Sequence, residues 1–349
     1  MLRFITLNKL IQHIILGLAL FSAHSWGAVI LQYHHVSEKL PAVTSVSEET
    51  FKSHLSYIKN NGYNVMPLPK LLNALQSEQT LPAKTIAITF DDGYENNITA
   101  AAPLLEQFGF PYTIFVNPQL IDEQKSYVMT WHELRKLAKR GATIANHSAK
   151  HDYLHQKLDD ESIAEWRARV KQDITWSQQR IKEEIGHDYP YLAYPYGEFN
   201  RKLQELVSEL GLIGIGQHSG AVGLTSDFTR LPRFPASGIY SNLETLKTKL
   251  DTKAFQLQNM HYADSVTSNT KPQITLHFKT KDFHNTQFAC YVSGVGQATL
   301  VWESKDSVRI QTPAELPKGR SRYNCTAPSI QEPGRYHWFS QPWVIVEQQ

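Results

Sequence analysis

Between residue 28 and about residue 255 the chain alternates short apolar runs with amphipathic helical patterns, and this alternation restricts the fold more than any other feature. Residues 29–31, 85–90, 112–116, 142–145, 192–194 and 213–215 read as strands. Residues 51–60 read as a helix with Phe51, Leu55 and Ile58 on one face, and 100–108, 131–140 and 162–185 read as further helices. Strand and helix in strict alternation imply a parallel sheet, and about seven repeats point to closure into a distorted (β/α)7 barrel. After residue 260 the pattern changes. Residues 264–272 are polar and rich in turn formers, and read as a linker. Beyond them, 274–278, 286–292, 298–303 and 336–339 read as short strands separated by Gly, Pro and Asn. About 80 residues without a helical period fit a small all-β sandwich of immunoglobulin-like type. The expected organisation is therefore an α/β domain over 28–262 and a β-sandwich domain over 263–349.

Residues 1–27 read as a signal peptide. Arg3 and Lys9 make a basic start, residues 10–21 are apolar apart from Gln12 and His13, and Ser25 and Gly27 precede Ala28 as a cleavage frame. The alternative is an uncleaved N-terminal anchor. Cleavage predicts an exported protein, periplasmic or extracellular, with no stable membrane insertion, and a monomer is expected. In an oxidising compartment Cys290 and Cys325 are expected to form a disulfide. With only 2 Cys, a Cys-rich metal site is excluded, and any metal must rest on carboxylates and the 15 His. The balance of 35 Lys+Arg against 33 Asp+Glu, with no basic run, argues against a nucleic-acid partner.

Three segments at expected strand ends carry chemistry. Thr89-Phe90-Asp91-Asp92-Gly93 places two adjacent carboxylates where parallel sheets assemble their sites. Burying two like charges is costly unless a cation or shared proton relieves them; alone, the segment could equally be a solvated turn. In Asn146-His147-Ser148-Ala149-Lys150-His151, a helical conformation would set His147 and His151 on one face, able to reach one ion with a carboxylate as third ligand. His155 could extend that row or be unrelated to it. Tyr194-Pro195-Tyr196-Gly197 forms a turn that can aim a backbone N–H at a developing oxyanion, or be merely a turn. Together they supply a mononuclear metal site with three protein ligands, and a spare carboxylate as base.

On these residues the sequence resembles the polysaccharide deacetylases, the NodB-homology group of carbohydrate esterase family 4. Thr89 to Gly93 resembles the family's first motif, His147-Ser148-Ala149-Lys150-His151 its His-Ser/Thr-x-x-His motif, and Pro195-Tyr196-Gly197 the core of its third. Gln32-Tyr33-His34-His35-Val36 and Arg230-Leu231-Pro232-Arg233 resemble segments of the secreted subgroup that deacetylates poly-β-1,6-N-acetylglucosamine. The resemblance implies a metal-dependent hydrolase that removes N-acetyl groups from a polysaccharide or oligosaccharide. It makes Asp91 the general base, Asp92, His147 and His151 the ligands of one divalent ion, usually zinc, and the Tyr196 N–H an oxyanion donor. It also exposes two departures. The arginine that normally pairs with the base is replaced by Ala193, and Arg230 or Arg233 is expected to reach the base instead, Arg233 being favoured by its neighbours. The general-acid histidine has no secure position: His277 looks like the final motif but falls in the second domain, and His218 matches no motif. Those gaps keep open a carbohydrate-binding protein without turnover, an O-acetyl sugar esterase, and an amidase on peptidoglycan sugars. Tyr33, Tyr94, Tyr153, Tyr196 and Phe199 stand beside the motifs and could either stack on sugars or pack internally.

Overall fold

The computed structural model describes residues 24–25, 27–258 and 263–347. Most of the expected signal peptide therefore lies outside the described residues. Among those described, no helix is long and apolar enough to cross a membrane.

The first domain is a curled parallel sheet with helices around it. Its strands are β1 (Gly27–Tyr33), β2 (Thr85–Phe90), β3 (Thr113–Val116), β4 (Thr143–Asn146), β5 (Tyr191–Ala193), β6 (Ile213–Ile215) and β7 (Phe234–Pro235). Each of β1 to β5 pairs in parallel with the next in the chain. Leu231 then bridges to Ile215, and β7 pairs with β1 through Phe234 opposite Leu31, so the pairing runs back to its first strand. Every residue of β2, β3 and β4 is buried, as strands covered on both faces require. The helices α1 (Glu48–Asn60), α2 (Leu68–Gln76), α3 (Ala102–Phe108), α4 (Pro118–Asp122), α5 (Trp131–Lys139), α6 (Ile163–Ile185), α7 (Arg201–Glu209) and α8 (Leu243–Leu250) lie along the chain between or after these strands. Capping boxes start α5 at Thr130/Glu133 and α6 at Ser162/Glu165, each satisfying backbone donors that a helix start leaves open. The expected helix over 100–108 begins with a π-helical turn at Asn97–Ala101 before α3.

The second domain is all-β. One sheet contains β8 (Thr252–Lys253), β9 (Val266–Thr267), β11 (Ala289–Val292), β12 (Gly296–Gln297), β15 (Gly319–Pro328) and β16 (Tyr336–Ile345). The other contains β10 (Gln273–His277), β13 (Thr299–Ser304) and β14 (Ser307–Gln311). Between them lies a core that includes Leu276, Phe278, Val308, Tyr323 and Trp343. Phe255 and Leu257 also belong to it, so the second core recruits residues ahead of 263. The segment 264–272, read as a linker, includes β9, which gains order by pairing with Val344 and Ile345 of β16. β14 and β15 have no counterpart among the expected strands. Cys290 and Cys325 are bonded and stand directly opposite each other on β11 and β15, so the bridge joins neighbours within one sheet.

Candidate metal centre and cleft

Residues following β1, β2, β4, β5 and β6 meet at one end of the barrel, where a cleft of about 850 Å³ opens between the two domains. β2 delivers Asp91 and Asp92 in succession. Asp91 has no exposed surface, whereas Asp92 turns towards the cleft through a left-handed backbone (φ 68°). Gly93 also has positive φ, and a Cβ there would come within 2.9 Å of Val116 Cγ1. β4 ends at Asn146, and His147 and His151 follow. They do not share a helix face. Residues 147–151 form a loop in which Ser148 and His151 have φ of 70° and 68°. Side chains hold that loop: Asn146 Oδ1 accepts from the Ser148 N–H at 2.8 Å, Ser148 Oγ from the His151 N–H at 3.1 Å, and Asn117 Nδ2 donates to the His147 carbonyl at 2.6 Å. The expected convergence is present, but turn chemistry produces it rather than helical periodicity.

His147 Nε2 and His151 Nε2 stand 3.3 and 3.4 Å from the same Asp92 oxygen, and one ligand atom from each of the three residues lies within 4.8 Å of the others. A tetrahedron with ligands about 2.0–2.1 Å from its centre has edges of roughly 3.3 Å. His147 Nδ1 bonds the Ala193 carbonyl at 2.8 Å, which fixes the tautomer, while its buried Nε2 has no hydrogen-bond partner. An orphaned imidazole nitrogen aimed at a carboxylate and a second imidazole fits a divalent cation. Burial and the neighbouring His147 push the His151 imidazole down to about 4, leaving it neutral and free to ligate.

Asp91 lies beside this trio but outside it, held in a polar cage. Arg233 grips it with both terminal nitrogens, Nη1 to Oδ1 at 2.7 Å and Nη2 to Oδ2 at 2.8 Å. The guanidinium is itself buried and donates to the Gly216 carbonyl and to Thr89 Oγ1. Gln32 Nε2 donates to Asp91 Oδ2 at 2.7 Å. Burial alone would push the Asp91 carboxyl up; Arg233 and His147 outweigh it and hold it at about 2. Arg230 instead donates to Gln341 Oε1 of the second domain.

His34 lines the cleft with Nε2 4.0 Å from Asp91 Oδ2. His277 is an exposed residue at the end of β10 and does not line the cleft, and His155 faces Glu198 at 3.6 Å rather than the trio. Tyr196 lies in the cleft at φ 60°, stacked on Tyr153 with ring centroids 4.0 Å apart. Tyr94 lines the cleft too, whereas Tyr33 is fully buried against Phe51 and Phe90, with its hydroxyl on His54 Nδ1. Gln32 and His34 were noted only within the resembling segment Gln32–Val36 and given no role, and Gln217 was given none either, because single polar residues at strand ends carry no spacing signal.

With this geometry in view, the polysaccharide deacetylase family profile matches residues 78–215. That span includes Asp91, Asp92, His147, His151 and Tyr196. Residues 78–215 form a polysaccharide deacetylase domain. The chain is 22% identical over 222 residues to the poly-beta-1,6-N-acetyl-D-glucosamine N-deacetylase of Escherichia coli K12, covering 53% of this chain and 33% of that one. It is 23% identical over 194 residues to the Staphylococcus aureus (strain MRSA252) protein of the same name, covering 54% of this chain and 67% of that one. The alignment thus spans a third of the first relative and two thirds of the second. Among solved structures, the Streptococcus pyogenes deacetylase PplD in complex with acetate superimposes with a TM-score of 0.58 at 19% identity, covering 64% of this chain and 98% of that one, which shows a shared fold.

Proposed function

We propose that this chain is a metal-dependent hydrolase that removes N-acetyl groups from an N-acetylglucosamine-containing polysaccharide and releases acetate. The observation that carries this reading is the convergence of Asp92, His147 and His151 beside Asp91, which stays outside the ligand set and is clamped by Arg233. The names of the curated relatives support the choice of polymer. Asp92, His147 and His151 would hold the ion, zinc being the ordinary choice for one carboxylate and two imidazoles; when bound, it supplies Lewis-acid polarisation of the acetyl carbonyl and a more acidic water.

The chain's own groups do the rest. Asp91, ionised throughout the neutral range, takes the proton of the attacking water. Arg233 and Gln32 fix its two oxygens, so the base loses no time in unproductive rotamers. The tetrahedral oxyanion accepts from the Tyr196 N–H. Collapse breaks the C–N bond, and the sugar nitrogen leaves as an amine once it gains a proton. His34 stands across from Asp91 at the cleft surface and is the group placed to deliver it. Tyr94 and the Tyr153–Tyr196 stack offer flat apolar faces beside the site for sugar rings. We place the protein outside the cytoplasm, on the composition of residues 1–27 and the cystine at 290–325.

Acetate release from a panel of N- and O-acetylated glycans, with and without chelator, tests the reading. Chelator-sensitive release from N-acetylglucosamine oligomers is expected. Release from O-acetyl sugars alone would reassign the chain as an esterase, and no release from either would leave only a binding protein.

A further inference from the structure

The cleft has a wall that this chemistry does not use. β15 runs along it, and the two-residue period of a strand sends alternate side chains to opposite faces. Tyr323 and Cys325 enter the second core, so Arg320 and Arg322 share the face turned to the barrel, and both line the cleft. Arg320 is already compensated: it pairs with Glu198 and lies over the Tyr196 ring at 5.3 Å. Glu198 is further occupied by His155. Arg322 differs. It is half-buried, and among the described residues no carboxylate pairs with it and no side-chain hydrogen bond engages its guanidinium.

His218 lines the same end of the cleft. It is 6% exposed, and its Nδ1 has no hydrogen-bond partner. Burial pushes its imidazole far down, and Arg230, Arg322 and Arg233 push the same way, so the ring stays neutral among three guanidinium groups. Arg233 is committed to Asp91 and Arg230 reaches Gln341. Arg322 is the remaining charge, and a partly desolvated guanidinium without a counter-charge is costly unless a ligand supplies one.

We propose that Arg322, on the cleft wall beside the neutral His218 ring, forms a subsite for an acidic substituent carried by the glycan, so that the enzyme prefers an anionic polymer to a neutral one. The guanidinium fork matches the oxygens of a carboxylate, sulfate or phosphate, and the neutral ring beside it adds no competing charge. The inference rests on the proposed function for its glycan but not for its charge.

The test compares three tetrasaccharides: neutral chitotetraose, an N-acetylhexosamine–uronate tetramer, and 6-O-sulfated chitotetraose. Acetate release gives KM for each, and calorimetry with Asp91→Asn protein gives affinity without turnover. An acidic tetramer is expected to have a KM and Kd about tenfold lower than the neutral one, a gap that narrows at high salt. Whichever acidic tetramer gains more identifies the substituent as carboxylate or sulfate. In Arg322→Gln the ratio should fall to about one, while Arg322→Lys, which keeps the charge without the fork, should retain part of it. Charge-blind calorimetry, or a preference undiminished in Arg322→Gln, overturns the subsite. Failure of every tetramer to release acetate, with the charge preference intact in calorimetry, overturns the deacetylase reading alone.

Discussion

Asp91 is a buried carboxylate whose charge is held chiefly by Arg233, with His147 and His34 acting in the same direction. With its carboxyl held at about 2 against an ordinary 3.8, the interaction contributes stability that is fully present above pH 4 and lost as the pH falls towards 2. Arg233→Gln removes the largest influence opposing burial and leaves only His147 and His34 against it, so the carboxyl rises. The acid limb of the pH–rate profile should move to higher pH, and the fold should lose about 3–5 kcal/mol, read by urea unfolding at pH 7. Asp91→Asn should abolish acetate release while the protein still takes up one equivalent of metal, measured by elemental analysis. His34→Gln should slow N-deacetylation by about 10²–10⁴ but spare p-nitrophenyl acetate, whose leaving group needs no proton; equal losses on both would remove His34 as the donor. At this scale the sequence was legible in part. Asp91 and Asp92 announce themselves as adjacent acids ending an apolar strand, and Arg233 could be chosen over Arg230 only through resemblance. Gln32 and His34 reach the site from the first strand through tertiary closure, which no local pattern encodes.

The loops after β2, β4 and β5 place non-glycine residues in the left-handed region, namely Asp92, Ser148, His151 and Tyr196. Such conformations cost about 1–3 kcal/mol each and persist where surrounding bonds impose them. Gly93→Ala should test this on the β2 loop. Its positive φ and the 2.9 Å approach of Val116 predict a loss of about 1–3 kcal/mol in thermal or urea unfolding, together with weaker metal uptake as Asp92 shifts. His147→Ala should lose stoichiometric metal while the fold survives in far-UV dichroism. The His147/His151 spacing was readable, but its cause was not: a helix face was the natural inference from an interval of four. Asn117 and Asn146 decide otherwise by bonding the loop backbone. Strand β15 was missed because its polar residues, Arg320, Arg322 and Asn324, alternate with core residues against a neighbouring Gly and Pro.

The two domains share one cleft and are tied together both at its wall and away from it. Arg320 ties to Glu198, Arg230 to Gln341, and the Arg201 N–H to Asp264. Reducing the Cys290–Cys325 bond removes a closed loop with a sequence separation of 35. A loop of that length is worth about 4 kcal/mol in the chain-entropy account, so dithiothreitol should lower the unfolding midpoint of the second domain first. The curled parallel sheet was legible at this scale because strand–helix alternation is a strong signal. The attachment of β8, Phe255 and Leu257 to the second domain was not, since it follows from pairing with β16 some 80 residues later.

The two-sided character of β15 has a consequence for how such proteins diversify. Its inward side chains are committed to holding a sheet together, while its outward Arg320 and Arg322 line the cleft. Arg320 is tied to Glu198 and Tyr196, but under the proposed subsite drift at 322 would retune which glycan is accepted without disturbing either core, so a lineage could exchange one diet for another through a single side chain.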